Sequence, residues 1–276
     1  MRKNLFLLFL IVAQSSFCQT TINYGNNPSA SKYYTVRGIN IYTEQYGTGK
    51  PLLLIHGNGD SIKGMAKIIP YFSNKYKVIA VDSRAHGKSV DLGDSLSFEM
   101  MADDNAALIE KMNLDSVYVI GWSDGGIVAI LLAMRHPEKV IKLASTGANL
   151  WPDSTALIPS LWKDEKKHFD AFKSKIFTDT KEKNDWKIFM LDWLQPNIAL
   201  NALHSIVNPS LIISGDNDAI NLEHTIKIYQ NITKANLWIL PNSGHATLIE
   251  HTDEFNKKVN DFFTKPFISP IAFQFQ

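Results

Sequence analysis

The sequence predicts an α/β fold in which helices flank a mostly parallel β-sheet. Short, solid apolar runs recur along the chain, and segments with apolar residues at helical spacing lie between them. Apolar runs of four or five residues without alternation indicate strands that are covered on both faces, as in a parallel sheet. The chain contains no internal repeat, low-complexity tract or flexible linker, so the pattern predicts one domain with an insertion.

Six apolar runs are predicted as strands of this sheet, of which the run from Ile141 to Ala144 is the weakest. The other five are Leu52 to Ile55, Val78 to Val81, Val117 to Ile120, Leu211 to Ile213 and Leu237 to Leu240. Upstream, Tyr33 to Tyr46 alternates apolar and polar residues more openly. This alternation predicts an edge hairpin of antiparallel strands.

Two segments between these runs are predicted as helices. Ser97 to Met112 opens with a capping serine and carries apolar residues at helical spacing, and Gly126 to His136 is the second. The alternation of strand and helix stops between residues 150 and 205, where the pattern predicts several short helices and no strand. We interpret 150–205 as a helical cap inserted between a first core part, 33–149, and a second, 206–266.

The predicted cap is rich in aromatic residues and evenly charged. We expect its tryptophans to pack the cap onto the body or to line a pocket. Four of the six tryptophans lie in this segment, at Trp151, Trp162, Trp186 and Trp193. Its eight lysines are matched by eight acidic residues, so the sequence predicts no net field that would attract a charged substrate.

The beginning of the sequence has the features of an export signal. Two basic residues precede an apolar run from Leu5 to Ala13, which is too short for a membrane-spanning helix of about 20 residues. We therefore expect residues 1–18 to be a signal peptide, cleaved between Cys18 and Gln19, and the mature protein to be periplasmic or secreted without a stable membrane anchor. A lipid anchor on Cys18 is less favoured, because Phe17 stands where lipoprotein signals have a small residue.

Composition argues against several classes of protein. The 276 residues carry 28 basic and 27 acidic side chains, so the chain lacks the broad positive field that nucleic-acid binding needs. The single cysteine, Cys18, excludes an internal disulfide and a cysteine-rich zinc site. Phosphate-loop, dinucleotide-binding and His-Glu-x-x-His motifs are missing. We expect no metal, no cofactor and no nucleic-acid partner, and the sequence indicates no particular oligomeric state.

A candidate nucleophile lies at the end of one predicted strand. The sequence Gly121 to Gly126 (GWSDGG) follows the run Val117 to Ile120 and leads directly into a predicted helix. Such a sharp turn strains the central residue, and side chains two positions away on either side would collide. Gly121 and Gly125 avoid this collision and place Ser123 at the positive end of the helix. The pattern indicates a nucleophilic serine.

Together with further motifs, this turn makes residues 33–263 resemble the α/β-hydrolase family. The sequence His56 to Gly59 follows the first buried strand, as the oxyanion loop of that family does. Asp82 to Ser89 (DSRAHGKS) resembles the family's Asp-x-Arg-Gly-His-Gly-x-Ser turn, with Ala85 in place of a glycine. We interpret this replacement as a local change of the backbone. The order of candidate residues, serine, aspartate and then histidine, is also that of the family.

The resemblance implies a catalytic triad of Ser123, Asp218 and His245. His245 would take the Ser123 proton, while Asp218 would hold the imidazole in the correct tautomer. Two aspartates stand on the same turn, and the family places its acid second, which favours Asp218 over Asp216. Asp216 would then stabilise the turn.

The resemblance also implies the surroundings of the reacting carbonyl. Backbone N–H groups of Asn58 and Asp124 would bind the oxyanion. The side chains of Asn58 and Trp122 would line the pocket floor, with buried packing as the alternative for Trp122. The implied enzyme is a serine hydrolase, specifically a carboxylic ester hydrolase, that acts on a small, largely uncharged ester or related acyl compound.

Other activities of the same fold stay open at this point. Carbon–carbon bond hydrolases, acyltransferases and cofactor-free perhydrolases share the triad pattern, and a binding or sensing protein with little turnover is a further alternative. Dehalogenases and epoxide hydrolases of this fold carry aspartate at the nucleophile position, and Ser123 argues against both.

Overall fold

A computed structural model describes residues 22–268, and the predicted signal peptide, residues 1–18, lies outside this range. Eight strands form a single sheet. They are β1 (Ser31–Val36), β2 (Ile39–Tyr46), β3 (Pro51–Ile55), β4 (Lys77–Val81), β5 (Val117–Trp122), β6 (Val140–Thr146), β7 (Ser210–Gly215) and β8 (Ala235–Leu240).

The strands lie in the order β1-β2-β4-β3-β5-β6-β7-β8. Strand β2 pairs antiparallel with β1 and β4, and every other neighbouring pair is parallel. All six apolar runs are strands, and the alternating segment forms the hairpin of β1 and β2 at one edge. The structure therefore confirms the predicted α/β fold with a mostly parallel sheet.

Helices follow most of the strands. They are α1 (Ile69–Ser73), α2 (Phe98–Lys111), α3 (Asp124–Arg135), α4 (Pro159–Phe172), α5 (Thr180–Leu194), α6 (Leu222–Gln230), α7 (Thr247–Glu250) and α8 (Thr252–Thr264). Both predicted helices are present. Ser97 caps α2 by accepting a hydrogen bond from the Met100 amide at 3.1 Å, and α3 begins directly after Ser123, two residues before the expected start.

Each face of the sheet carries its own apolar core. Along β3, Leu53 and Ile55 pack with helices α2 and α3, whereas Leu52 and Leu54 pack on the other face with α1 and α8. This alternation covers both faces, which explains why the strand sequences are apolar throughout. Among residues 22–268, no helix is both long and apolar enough to cross a lipid bilayer.

The region between β6 and β7 differs from the expected series of short helices. It contains two helices of 14 and 15 residues, α4 and α5, followed by a 3₁₀ turn, Leu200–Ser205. Stacked aromatic rings join the two helices: the Phe169 ring of α4 lies 4.8 Å from the Trp193 ring and 6.4 Å from the Trp186 ring, both on α5. These two tryptophans therefore join α4 to α5.

The turn after β4 also corrects one interpretation of the sequence. Ala85 stands where the family motif has glycine, and its φ of 66° lies in the left-handed region. The backbone thus keeps the conformation that glycine would adopt, at a steric cost to the alanine, instead of changing locally.

Candidate active site

Ser123 occupies a strained turn between β5 and α3. Its φ of 56° and ψ of −120° are uncommon for a residue with a side chain, and its amide donates to the Thr146 carbonyl at 2.8 Å. The flanking glycines are sterically required. A Cβ on Gly121 would lie 2.0 Å from the Gly125 oxygen, and one on Gly125 would lie 2.1 Å from the Ile55 oxygen.

The three side chains predicted as a triad lie in one hydrogen-bonded row. His245 Nε2 is 2.9 Å from Ser123 Oγ, and His245 Nδ1 is 2.6 Å from Asp218 Oδ1. An ionised carboxylate only accepts hydrogen bonds, so Nδ1 carries the proton and Nε2 accepts from the serine hydroxyl. This is the arrangement in which an imidazole is able to remove a proton from a hydroxyl group.

The structure separates the two aspartates of the turn after β7. The buried Asp218 carboxylate also accepts from the Ser214 hydroxyl and the Ile220 amide, each at 3.1 Å. Asp216 is exposed and accepts from the Ser243 amide at 3.1 Å. The backbone N–H groups of Asn242 and Ser243, on the turn after β8, lower the pKa of Asp216. Asp216 therefore links two turns, and Asp218 contacts the imidazole.

Two backbone amides lie near Ser123 at the positive end of α3. A Cβ built on Gly57 would lie 3.1 Å from the Ser123 Cβ, which places the turn containing Asn58 against the serine. Within the described range, the amides of Asn58 and Asp124 have no protein acceptor. Free N–H groups at a helix N-terminus are suited to bind developing negative charge.

The side chains of Asn58 and Trp122 both bridge separate parts of the chain. Asn58 Nδ2 donates to Asp124 Oδ2 at 2.9 Å and lies 3.3 Å from the Ile188 carbonyl of α5. Trp122 Nε1 donates to the His245 carbonyl at 2.9 Å. Asn58 thus joins the body to α5, and Trp122 joins β5 to the turn that carries His245.

An acidic cluster that the sequence analysis missed lies beside the serine. Asp192 of α5 is one helical turn beyond Ile188, and its carboxyl group forms a hydrogen bond with that of Asp124. Burial raises the pKa of both groups, and the charge of Asp124 raises that of Asp192 further. Burial, followed by the charge of Asp124, raises the pKa of Glu165 on α4 to about 7.

One sequence signal could have revealed this cluster. Asp192 is the only charged residue in the apolar run Ile188 to Leu194 (IFMLDWL). A lone carboxyl group on an apolar helix face is costly to bury unless it meets a partner or a ligand. The identity of its neighbours depends on how α5 lies over the body, which no local pattern indicates.

Comparisons with known proteins identify the fold family of this chain. A family model described as alpha/beta hydrolase fold matches residues 50–185. The chain belongs to the α/β-hydrolase fold family. It is 27% identical to the serine hydrolase BPHL of Homo sapiens over 87% of this chain and 88% of that protein. It is 24% identical to 2-hydroxymuconate semialdehyde hydrolase of a Pseudomonas strain over 87% of this chain and 96% of that protein.

Solved structures show the same fold. A meta-cleavage product hydrolase from Pseudomonas fluorescens superposes on this hydrolase with a TM-score of 0.69 and 24% identity, covering 86% of this chain and 98% of that one. This likeness shows that the two chains share the fold.

A second buried polar group of this hydrolase points toward the acidic cluster. His86 Nδ1 lies 2.8 Å from the Arg84 carbonyl, so Nδ1 carries the proton and Nε2 is left as an acceptor. His86 is 3% exposed, and Nε2 has no partner among the described residues. The ring lies close to Asp124. Its neighbour His56 is neutral, because burial lowers its pKa to about 3.

The charged side chains of the segment 150–205 differ in their exposure to solvent. Of its sixteen charged residues, only Glu165, Lys187 and Asp192 are not exposed. The Lys187 ammonium group donates to the Gly93 carbonyl at 2.8 Å, on the loop before α2. The segment therefore presents carboxyl groups to the site and keeps its lysines elsewhere. No group of three or more residues suited to bind a metal ion occurs within residues 22–268.

Proposed function

We propose that this chain is an exported serine hydrolase that cleaves a small carboxylic ester bearing an amino group. The observation that supports hydrolysis is the hydrogen-bonded row of Ser123, His245 and Asp218 at a strained turn. The observation that supports an amino group is the acidic cluster of Asp124 and Asp192, which lies immediately beside the nucleophile.

The proposed reaction has two steps. His245 takes the Ser123 proton as Oγ attacks the ester carbonyl, and Asp218 stabilises the imidazolium that forms. The amides of Asn58 and Asp124 hold the oxyanion, where the loss of one donor typically costs about 10² to 10³ in rate. The intermediate expels the alcohol, which takes the proton from His245. Water then attacks the acyl-enzyme with His245 as the base, which releases the acid and restores Ser123.

The arrangement of charges supports a cationic substrate. The equal numbers of lysines and acids in the segment 150–205 led to the expectation of a largely uncharged ester. A count of charges, however, does not say which charged side chains face the site. Burial raises the pKa of the Asp124 and Asp192 carboxyl groups, and the charge of Asp124 raises that of Asp192 further, so a positive charge beside them would stabilise their ionised forms. An ammonium group would supply that charge, and the free lone pair of His86 Nε2 would accept one of its hydrogen bonds.

Carbon–carbon bond hydrolysis is the second candidate. It is favoured by the similarity to 2-hydroxymuconate semialdehyde hydrolase, whose named substrate carries a carboxylate. The acidic cluster argues against it, because the carboxyl groups of Asp124 and Asp192 offer a carboxylate substrate no positive charge to pair with. A binding role without turnover is distinguished by fluorophosphonate labelling of Ser123.

Two benzyl esters that differ only in the amino group test this proposal. We expect kcat/KM to be at least about tenfold higher for the α-aminobutyryl ester than for the butyryl ester, because one desolvated ion pair contributes about 1.4 kcal/mol or more. This ratio should fall in Asp192→Asn. Asp185→Asn is the matched control, since it removes the same charge from an exposed position on the same helix.

The outcomes separate the parts of the proposal. Equal kcat/KM values for the two esters would exclude recognition of an amino group. A purified protein that shows no fluorophosphonate labelling at Ser123 would exclude a serine hydrolase and favour a binding role. Turnover confined to carbon–carbon bond substrates would favour the second candidate.

Export rests on the first eighteen residues, where two basic residues precede a short apolar run. Mass spectrometry of the protein isolated from its native cell envelope tests this part. We expect a mature chain that begins at Gln19. An intact amino terminus or a lipid on Cys18 would contradict it.

A further inference from the structure

The turn that carries His245 is held by contacts from several segments. The imidazole contacts Ser123 and Asp218, and it is 28% exposed. Gly147 lies against the ring, where a Cβ would come within 2.8 Å of Cε1. The Gly244 amide donates to Glu250 Oε2 at 2.7 Å. Ser123 and Asp218 thus hold the imidazole at its two nitrogens, and other contacts must hold the backbone of His245.

Trp122 supplies that support from the strand that carries the nucleophile. Its indole N–H donates to the His245 carbonyl at 2.9 Å across 123 positions of sequence. The two rings lie 6.2 Å apart, and the far edge of the indole fills space that Gly64 leaves open, since a Cβ there would lie 3.1 Å from Cζ3. Trp122 is therefore fixed by packing as well as by its hydrogen bond.

The hydrogen bond between Trp122 and the His245 carbonyl links the base to the nucleophile, because Trp122 directly precedes Ser123 in the sequence. A displacement of the His245 backbone away from the turn at Ser123 would therefore have to break the hydrogen bond between the indole N–H and the His245 carbonyl. Proton transfer requires the base and the nucleophile to be within hydrogen-bond reach, and a misplacement of about 1 Å costs about 10²-fold in rate.

We propose that Trp122 is a positioning residue, which sets the distance between His245 and Ser123 through its bond to the His245 carbonyl. This proposal rests on the proposed function. It gives Trp122 a role that differs from lining a substrate pocket, because the indole acts on the backbone of the base and not on the ligand. Its removal should lower kcat while KM changes little.

The sharpest test replaces only the N–H group. A 3-benzothienylalanine incorporated at position 122 keeps the fused ring and has sulfur in place of N–H, and Trp122→Phe is the simpler variant. We expect kcat to fall about tenfold or more in both, with KM within about threefold, because the error lies in alignment. The rate of fluorophosphonate labelling at Ser123 should fall by a similar factor.

Trp238→Phe provides the matched control. Trp238 is also half-buried and packs against the same apolar cluster as Trp122, but its ring lies next to Phe255 at 6.4 Å. We expect this variant to lose a similar amount of thermal stability while its kcat stays within about twofold of the wild type.

The results distinguish this proposal from the proposed function. If the wild type is not labelled at Ser123, the hydrolase itself is excluded. If the wild type is labelled and the benzothienyl variant is labelled at the same rate, Trp122 has no positioning role. A rise in KM without a fall in kcat would likewise overturn the proposal, since it would place Trp122 in substrate binding.

Discussion

The sheet and the helices between β6 and β7 are stabilised in different ways. Every residue of β7 is buried, as is all of β5 except its last residue, whereas α4 has no buried residue. The sheet therefore fixes the backbone of the turns that carry the reacting groups. Helices α4 and α5 are joined by stacked aromatic rings, and α5 reaches the body through the buried side chains of Ile188 and Leu191 and through the contact of Asn58 with the Ile188 carbonyl. In our proposal the turns at the edge of the sheet carry the catalytic residues, and α4 and α5 determine which substrate binds.

Replacing the nucleophile should have the largest effect on activity. Ser123→Ala is expected to lower kcat about 10⁶-fold, because the acyl-enzyme is then unable to form. The melting temperature should not fall, since alanine leaves the glycines of the turn unchanged. Steady-state kinetics and thermal unfolding measure the two quantities. A residual rate within about tenfold of the wild type would show that the sheet does not supply the nucleophile.

The two aspartates of the turn after β7 provide the next comparison. Asp218→Asn should lower kcat by about 10⁴-fold, because the imidazole loses the acceptor that fixes its tautomer. Asp216→Asn should cost less than about tenfold, since this exposed side chain accepts from the Ser243 amide and the Asn217 side chain and not from the imidazole. Kinetics of both variants on one ester decide between them, and a larger loss at Asp216 would reverse the assignment.

The pH dependence of substrate binding tests the contribution of the helices. Burial and the charge of Asp124 raise the pKa of Glu165 to about 7, so the group is neutral below this pH and charged above it. The preference for an amino ester over its desamino analogue should therefore rise about threefold to tenfold between about pH 5.5 and 7, where the α-amino group of the ester stays largely protonated. Glu165→Gln should remove this rise. A wild-type preference that stays constant from about pH 5.5 to 7 would contradict it.

The same group should also affect stability in a direction fixed by its pKa. The folded-state value of about 7 lies above the ordinary value of 4.5, so the folded chain retains a proton that the unfolded chain releases. The contribution of Glu165 to the free energy of unfolding is fully present below its ordinary pKa of 4.5, and it is lost as pH rises through about 7. The free energy of unfolding should decline less steeply over this interval in Glu165→Gln, as measured by denaturant titration.

Disrupting the aromatic contacts should have the smallest effect on chemistry. Trp193→Leu removes the ring that stacks on Phe169 and should destabilise the two helices by about 1–2 kcal/mol. We expect faster hydrogen exchange across α4 and α5 and unchanged exchange in β5 and β7. Equal losses of protection in the helices and the sheet would show that the two regions unfold as one unit.

Much of the fold could be predicted from local patterns. Each strand of the parallel part is buried on both faces, so its residues are apolar without alternation, and this pattern is visible in the sequence. The turn at Ser123 was equally predictable, because glycines are required where a Cβ would meet a backbone oxygen. The packing of α4 against α5 was not, since it depends on aromatic rings that lie far apart in the sequence.

The sequence by itself determined the α/β fold, the strained serine turn and the order of the candidate catalytic residues, because steric and periodic constraints act over a few neighbouring residues. Only the tertiary structure decided that Asp192 lies against Asp124, that Asn58 reaches α5 and that Trp122 bonds to the turn of His245. Each of these contacts joins residues far apart in the chain. Charge shows the reason most clearly: eight lysines and eight acids cancel in a sum, but the field at the site depends on which of them face it.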